Sequence, residues 1–474
     1  MPFNSIIFLI FAAGFFALWP WAKKADSRRW VTITAASLFF YGWWDWRFVF
    51  LILGTGSIDY AAGLAMGAWP SRRKGFLIAS LAGNLGSLSV FKYSGFLADT
   101  LSEVLTALGY PCDLKAHLPG FTLILPVGIS FFTFQSMSYT IDVYRGLMKP
   151  CRNVFHFFAY LSLFPQLVAG PIVRARSLIP QLAGSPQPTE AERWEGLKLI
   201  AAGYFKKVVM ADNLAPLVNA AFASTSLSGS SLYWWIVTMA FAFQIYFDFS
   251  GYSDIARGLA RWMGYDFVVN FDHPYTSTSM REFWTRWHIS LSTWFRDYVY
   301  IPLGGGRKGE WASHLNMWLT MLLSGLWHGA AFHFLAWGGL HAAFLSLERI
   351  SGWPQRALRL PAGRAVALAA VLFQVLVAWV FFRAQDIHQA LQILGTMLEF
   401  NGNVTFAADD LFKVGVLYLA LGVLSELYHA SGADARRWFS ASAYRIGETA
   451  AVILLLTASV FLRGTGMQFI YFQF

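Results

Sequence analysis

Long apolar runs, separated by short polar connections, dominate this 474-residue chain and restrict what it can fold into. Hydrophobic residues make up 56% of the sequence and charged residues 13%, and the mean hydropathy is +0.47. A soluble chain carries about 25% charged residues, so lipid must be the solvent around most of these runs. They fall near residues 3–21, 30–46, 47–67, 75–92, 121–144, 197–222, 232–252, 313–330, 332–348, 365–383, 411–428 and 446–463.

The runs are predicted to form helices that cross a membrane. Lipid offers the backbone no hydrogen-bond partner, and the alternating pattern of a membrane-spanning barrel is absent. A spanning helix needs about 20 apolar residues, and several runs are shorter, which favours tilted or re-entrant geometry. The first run lacks a basic leader and a small-residue cleavage site, so we expect a retained helix rather than a signal peptide. The chain is therefore predicted to be an all-α, polytopic membrane protein.

Basic residues follow every second predicted helix. Lys and Arg are retained beside anionic headgroups, which places these connections in the cytoplasm and both chain ends outside. The formal net charge of +10 is thus explained by cytoplasmic loops, and no nucleic-acid partner is expected. Cys112 and Cys151 are predicted to lie on opposite sides of the membrane, where they cannot pair. The basic connections contain Lys23, Lys24, Arg28, Arg29, Arg72, Arg73, Lys74, Arg145, Lys149, Arg152, Arg257, Arg261, Arg349, Arg356, Arg359, Arg364, Arg436, Arg437 and Arg445.

His328 lies in an apolar segment, next to Trp327 and between Gly325 and Gly329. An ionisable residue at membrane depth points to function, and imidazole suits proton transfer near neutral pH. The two glycines leave space for another helix or for a substrate to approach closely. The alternative is a histidine that only hydrogen-bonds a neighbouring helix, and the residues by themselves leave both open.

The segment 281–298 repeats aromatic residues at helical spacing. At 100° per residue Trp284, Trp287 and Leu291 share one face, and His288 falls on that face. This pattern predicts an amphipathic helix at the membrane interface or partly inserted into it. His288 is then either a functional group or a buried histidine that satisfies a carbonyl.

Two further tracts carry polar groups. Residues 300–308 are glycine-rich and basic, and such a loop can present N–H groups to phosphates, although a flexible turn is the alternative. Residues 244–254 close an apolar helix, and we expect Asp248 and Asp254 either to anchor histidine or arginine or to hold the interface. No spacing matches a metal site, and no G-x-S-x-G nucleophile elbow occurs, so neither a metal centre nor a self-contained serine hydrolase is expected.

Five tracts stand in a characteristic order along the chain: 125–135, 169–172, 244–254, 281–307 and 324–329, the last with a W-H-G core. Taken together, they resemble the membrane-bound O-acyltransferase family. The region that carries the resemblance, about residues 121 to 345, is the predicted catalytic core of a single integral-membrane domain over residues 1–474. Residues 446–474 are predicted to form a C-terminal helix and aromatic tail. The chain is most similar to bacterial alginate and peptidoglycan O-acetyltransferases, and more distantly to the D-alanyl transferase of teichoic acid.

This resemblance implies a fold and a site. The fold is a ring of about 11–13 transmembrane helices around a central funnel or tunnel, with re-entrant or amphipathic helices on the cytoplasmic side. His328 matches the near-invariant histidine of the family, and His288 matches its second site position, which is usually asparagine or histidine. The implied donor is cytoplasmic acetyl-CoA, which is not bound tightly. The residues expected to attract its phosphates are Arg281, Arg286, Arg296, Arg307 and Lys308.

The last seven residues, QFIYFQF, resemble the C-terminal motif of a small membrane peptide that accompanies the D-alanyl transferase. This makes Tyr471 a candidate acyl carrier, because a phenolate is a better leaving group than an alkoxide. The alternative is that the terminal Tyr and Phe residues only anchor the tail at the membrane interface.

The predicted function is O-acetyl transfer at the bacterial inner membrane. Acetyl passes from acetyl-CoA to a periplasmic SGNH-hydrolase-like acetyltransferase, which acetylates an exopolysaccharide such as alginate. Three alternatives stay open: peptidoglycan O-acetylation, D-alanyl transfer from a carrier protein, and a transporter or scaffold without chemistry. No inverted repeat of the kind found in many transporters is visible in the sequence.

Overall fold

The computed structural model describes residues 1–184, 186–224, 229–400, 409–432, 437, 439–467 and 469–470. Across these ranges the regular structure is helical and no strand occurs, which confirms the predicted all-α class. Within the described ranges, six helices are long and apolar enough to cross a membrane, and the chain is therefore a multi-pass membrane protein. These six are Arg47–Ala68, Pro70–Ala107, Ser231–Met263, Gly363–Arg383, Asp410–Ala430 and Ala441–Phe461.

The helices are numbered along the chain. They are α1 (Ile6–Ala22), α2 (Asp26–Gly42), α3 (Arg47–Ala68), α4 (Arg73–Leu88), α5 (Ser94–Ala107), α6 (Ile129–Tyr144), α7 (Val154–Ser162), α8 (Phe164–Leu167), α9 (Ala175–Ala183), α10 (Glu190–Tyr204), α11 (Asp212–Ala223), α12 (Ser231–Met263), α13 (Met280–Arg286), α14 (Ile289–Phe295), α15 (Glu310–His328), α16 (Phe332–Ser351), α17 (Trp353–Ala357), α18 (Gly363–Arg383), α19 (Ile387–Leu398), α20 (Asp410–Ala430) and α21 (Ala441–Phe461). Wider π-type turns occupy Ser89–Tyr93, Phe205–Ala211 and Arg296–Tyr300.

The helices group into two compact units. The first contains residues 1–196 and 256–268, and the second contains residues 197–255 and 269–474. In the first unit, Asp59 of α3 is fully buried and accepts hydrogen bonds from Ser80 Oγ at 2.5 Å and Asn84 Nδ2 at 2.8 Å, both on α4. Because a buried carboxylate is costly unless it is hydrogen-bonded, this cluster fixes α4 against α3. The prediction of one domain over residues 1–474 stays a prediction.

Two predicted apolar helices begin or break elsewhere than expected. In the run at 121–144 the α-helix begins only at Ile129, because Gly128 has a φ of +75° and a Cβ there would lie 2.8 Å from the carbonyl oxygen of Leu167. The run at 197–222 is interrupted by the π-type turn at Phe205–Ala211. The proline-rich stretch after residue 150 forms a series of short helices, α7 to α9.

Glycines bring α15 and α16 of the second unit into backbone contact. A Cβ added at Gly325 would lie 2.2 Å from the carbonyl oxygen of Phe334, and one at Gly338 would lie 2.4 Å from that of Met321. No side chain fits at either distance, so both glycines are required for this approach. Helix α16, rather than a substrate, therefore fills the space that Gly325 was predicted to leave.

Candidate functional site

His328, the last residue of α15, lies in a cage of aromatic rings. The centroid of its ring is 5.0 Å from that of Trp327, 4.9 Å from that of Trp337 and 5.1 Å from that of Phe382. The residue is only 4% exposed. An imidazole in such a cage is shielded from bulk water, which favours proton exchange with a bound substrate.

His288 lies at a break between α13 and α14, so the predicted continuous helix over 281–298 is wrong. Its φ of 42° is in the left-handed region, which is uncommon for residues other than glycine. Backbone conformations of this kind persist only when the surrounding structure enforces them, and they cluster at functional sites. The spacing of the aromatic residues could not reveal this break, because placing residues on one helical face assumes an uninterrupted helix.

Asn270 enforces the break through three hydrogen bonds. Its backbone carbonyl accepts from the N–H of Ile289 at 2.8 Å, and its side-chain oxygen accepts from the N–H of Ser290 at 3.2 Å and the Oγ of Ser290 at 2.8 Å. The N–H groups that a continuous helix would use are therefore directed to another segment. Asn270 is itself buried and donates to Ser253 Oγ at 3.0 Å.

Trp327 lies beside both histidines. His288 is fully buried, with its ring 4.6 Å from that of Phe249 and 6.0 Å from that of Trp327. The ring of Trp327 also lies 5.0 Å from that of His328. His288 lies outside the six apolar helices, and burial lowers its pKa to about 3, so its imidazole is neutral at physiological pH. The structure thus brings the two predicted catalytic histidines to one aromatic cluster.

A cavity of about 700 Å³ opens beside α13, α14, α15 and α16. Arg281, Arg296 and Arg349 line it, together with Ser324 of α15. His328 follows Ser324 by one helical turn, so the cavity reaches to within a turn of the aromatic cage. Three guanidinium groups and an apolar floor suit a ligand with phosphates at one end and a small acyl group at the other.

The predicted phosphate-binding residues separate into three groups. Arg281 and Arg296 line the large cavity, and Arg349, which was not predicted, lines it with them. Arg286 instead lines a second cavity of about 520 Å³ and pairs with Glu282 at 2.7 Å.

Arg307 and Lys308 lie in the turn before α15. Neither residue is among the described residues that line the large cavity. The Lys308 side chain covers Gly304, which has a φ of +119°. Asn316 of α15 donates from Nδ2 to the carbonyl oxygen of Gly305 at 3.1 Å and so fastens the turn. The glycines therefore form a fixed turn between helices.

Several buried ring nitrogens around the cage have no hydrogen-bond partner in the part of the chain that the structure describes. They are both ring nitrogens of His341 and the indole nitrogens of Trp284, Trp337 and Trp379. The His341 ring lies 4.7 Å from that of Trp337 and 5.0 Å from that of Trp284. Each unsatisfied buried donor costs about 1–3 kcal/mol, so a group of them requires an explanation.

The end of the described chain is tied to a buried charged cluster. Lys207 lies 2.7 Å from Asp248 and 2.8 Å from Asp212, and it donates to the carbonyl oxygen of Met467 at 3.1 Å. Asp248 also accepts from the N–H of Ile470 at 2.7 Å. Asp248 was predicted to anchor histidine or arginine or to hold the interface; it anchors a lysine and the tail inside the protein.

Lys206, next to Lys207, pairs with Asp254 at 2.7 Å. Asp254 therefore also anchors a lysine. Tyr471 lies outside the described residues, so its predicted role stays a prediction.

Comparison with known proteins shows the family. Residues 151–385 match the model described as MBOAT, the membrane-bound O-acyltransferase family. A protein named probable alginate O-acetylase AlgI, from Pseudomonas putida, is 36% identical over 503 aligned positions that cover all of both chains. The chain belongs to the membrane-bound O-acyltransferase family. As a member of it, the protein is an O-acyltransferase.

Two further relatives are similar to this membrane-bound O-acyltransferase over most of their length. A protein of the same name from Pseudomonas aeruginosa is 38% identical over 432 positions, covering 90% of this chain and 80% of that one. A peptidoglycan O-acetyltransferase from Helicobacter pylori is 32% identical over 536 positions, covering 100% of this chain and 97% of that one.

Sequence reasoning missed four residues of this membrane-bound O-acyltransferase. Asn270, Lys207 and Arg349 act through residues that are distant in sequence, and nothing in their local pattern reveals that. His341 had a visible signal, since it is an ionisable residue inside an apolar run, just as His328 is.

Proposed function

We propose that the protein transfers acetyl from cytoplasmic acetyl-CoA, across the bacterial inner membrane, to a periplasmic SGNH-hydrolase-like partner. The observation that carries this proposal is the cavity lined by Arg281, Arg296 and Arg349, which ends one helical turn from His328. The arginines match the phosphates of CoA, since guanidinium groups bind phosphate through paired hydrogen bonds. The aromatic cage around His328 matches the small acyl end.

His328 acts as the general base in this proposal. Its imidazole takes the proton from the attacking hydroxyl, and the oxygen of that hydroxyl bonds to the thioester carbonyl carbon. The C–S bond then breaks, and CoA leaves as a thiolate that takes up a proton. A base held beside the reacting group contributes about 10²–10⁴-fold to the rate.

His288 orients the donor rather than accepting the proton. Its imidazole is neutral and fully buried, and the hydrogen bonds of Asn270 fix the backbone on which it stands. A rigid neutral group of this kind suits positioning, because its rotamer is locked by packing.

The proposed polymer is an exopolysaccharide such as alginate. The Pseudomonas relatives are named as probable alginate O-acetylases, and the Helicobacter relative is named as a peptidoglycan O-acetyltransferase. Identity is higher to the first group, at 36–38%, than to the second, at 32%, which favours alginate or a similar polymer.

Labelled acetyl-CoA tests the proposal directly. The purified protein, in lipid nanodiscs with its periplasmic partner, is expected to move the label from acetyl-CoA to the partner. Empty nanodiscs with the partner are the control. Transfer of D-alanine from a loaded carrier protein, with no use of acetyl-CoA, would indicate D-alanyl transfer instead. No consumption of either donor would indicate a transporter or scaffold.

Arg349→Gln is expected to raise the KM for acetyl-CoA about tenfold while kcat stays within about twofold. The reason is that a lost phosphate contact weakens binding of the donor equally in the ground state and in the transition state. Steady-state kinetics with acetyl-CoA measure this change. Acetylpantetheine, which lacks the nucleotide phosphates, should show no such change, and Arg445→Gln, at an exposed arginine of α21, is the charge-matched control. An equal loss with both donors would remove Arg349 from phosphate binding.

A further inference from the structure

His341 and Trp337 form a pair of buried hydrogen-bond donors on one face of α16. Both residues are fully buried, they are one helical turn apart, and their ring centroids are 4.7 Å apart. None of the described residues accepts a hydrogen bond from the indole N–H of Trp337 or bonds to either nitrogen of His341. An indole offers a donor only, and a neutral imidazole offers one donor and one acceptor.

The pair lies between the large cavity and His328. Leu345 follows His341 by one turn and lines the cavity, as does Glu348. In the other direction, the ring of Trp337 is 4.9 Å from that of His328. At 1.5 Å per residue, Leu345 and Trp337 are about 12 Å apart along the helix, so one continuous face leads from the cavity to the base.

Trp284 connects this face to the cavity wall. It lines the cavity, and its ring lies 5.0 Å from that of His341 and 5.8 Å from that of Trp337. A chain of ring contacts therefore leads from the cavity wall through Trp284 to the two donors, and from Trp337 to His328.

We propose that His341 and Trp337 bind the carbonyl oxygen of the donor's thioester. This inference rests on the proposed function and deepens it. A carbonyl oxygen accepts hydrogen bonds and donates none, which matches donors that no described residue satisfies. When the acceptor oxygen attacks, the negative charge develops on that same carbonyl oxygen. Donors fixed in a dry site then stabilise the transition state more than the bound substrate.

The experiment compares His341→Leu, His341→Gln and Trp337→Phe in the full-length protein in nanodiscs. For His341→Leu and Trp337→Phe, kcat with acetyl-CoA is expected to fall about 10²–10³-fold, the usual effect of a lost oxyanion donor, while KM rises by about tenfold at most, as for one lost hydrogen bond to the bound carbonyl. His341→Gln keeps an N–H and is expected to recover part of the rate. Trp235→Phe is the matched control, because its indole N–H donates to the carbonyl oxygen of Met397 at 3.0 Å.

Binding of two unreactive CoA analogues shows whether Trp337 contacts the carbonyl group of the donor or only supports the fold. Acetonyl-CoA keeps the carbonyl group, and S-ethyl-CoA lacks it. In Trp337→Phe the affinity for acetonyl-CoA is expected to fall about tenfold, as for one lost hydrogen bond, while that for S-ethyl-CoA stays unchanged. Retention of a symmetric gel-filtration peak shows that each variant is folded.

Three outcomes overturn the inference: kcat within about threefold of the parent in both His341→Leu and Trp337→Phe, equal loss of affinity for both analogues, or no recovery in His341→Gln. If His341→Leu does not fold, Trp337→Phe and His341→Gln decide. A parent protein that transfers no acetyl and binds neither analogue would overturn the proposed function itself. A fully active parent with fully active variants would overturn only the role of the two donors.

Discussion

His328→Ala is expected to lower acetyl transfer about 10²–10⁴-fold while the protein stays folded and inserted in the membrane. Among the described rings of this cage, which are those of His328, Trp327, Trp337 and Phe382, only the imidazole can accept a proton. Removing it leaves the attacking hydroxyl without a base beside the thioester. Label transfer from acetyl-CoA to the partner measures the loss.

The control for His328→Ala must show that acetyl transfer is lost because the base is missing, and not because the protein is misfolded. His156→Gln alters another buried histidine, in the other compact unit, whose Nε2 lies 2.9 Å from the carbonyl oxygen of Ile179. That variant should keep its rate within about threefold of the parent, and both variants should bind CoA as the parent does. Near-normal acetylation by a folded His328→Ala protein would remove His328 from the mechanism.

What could be predicted about the site depended on whether the signal was local. His328 could be identified because an ionisable residue inside an apolar run with adjacent glycines is visible in the sequence. The helical class followed from the apolar runs for the same reason. The break at His288 could not be predicted, because Asn270 makes the deciding hydrogen bonds from another segment.

The donor cavity shows the same limit. Arg281 and Arg296 belong to the tract that resembles the family, but Arg349 joins them only because α16 folds back along α15 through Gly325 and Gly338. Arg286 faces another cavity because Glu282, one turn earlier on α13, pairs with it. Sequence spacing gives the charge of such residues and the face they occupy, whereas packing decides which cavity they line.

The tail is held at residues that directly precede Tyr471. Ile470 is buried, and its N–H donates to Asp248 at 2.7 Å. The ring of Phe469 lies 5.5 Å from that of Phe249, which in turn lies 4.6 Å from the ring of His288. A buried salt bridge with two carboxylates fixes Lys207, so the tail is bound by groups that are themselves rigid.

These contacts support a proposal in which Tyr471 carries the acetyl group. Free tyrosine has a pKa of about 10, so its hydroxyl needs a base such as His328 to become a nucleophile. The phenolate oxygen attacks the thioester carbon, the C–S bond breaks, and CoA leaves as the thiol. The resulting aryl ester is activated, and a serine of the periplasmic partner takes the acetyl group and returns the proton to the tyrosine. The passage of acetyl across the membrane is thereby divided into two transfers, from CoA to Tyr471 and from Tyr471 to the partner.

Tyr471→Phe is the test, because it keeps the ring and removes only the oxygen that would carry the acetyl group. Acetyl transfer to the partner is expected to fall about 10²-fold or more, as when a nucleophile is removed, while partner binding stays intact. Mass spectrometry of the C-terminal peptide, after incubation with acetyl-CoA and no partner, should show one acetyl group in the parent and none in the variant. Tyr110→Phe, at a highly exposed tyrosine, is the matched control. Full activity in Tyr471→Phe would instead mean that the Lys207–Asp248 cluster only anchors the tail, and that acetyl passes directly from CoA to the partner.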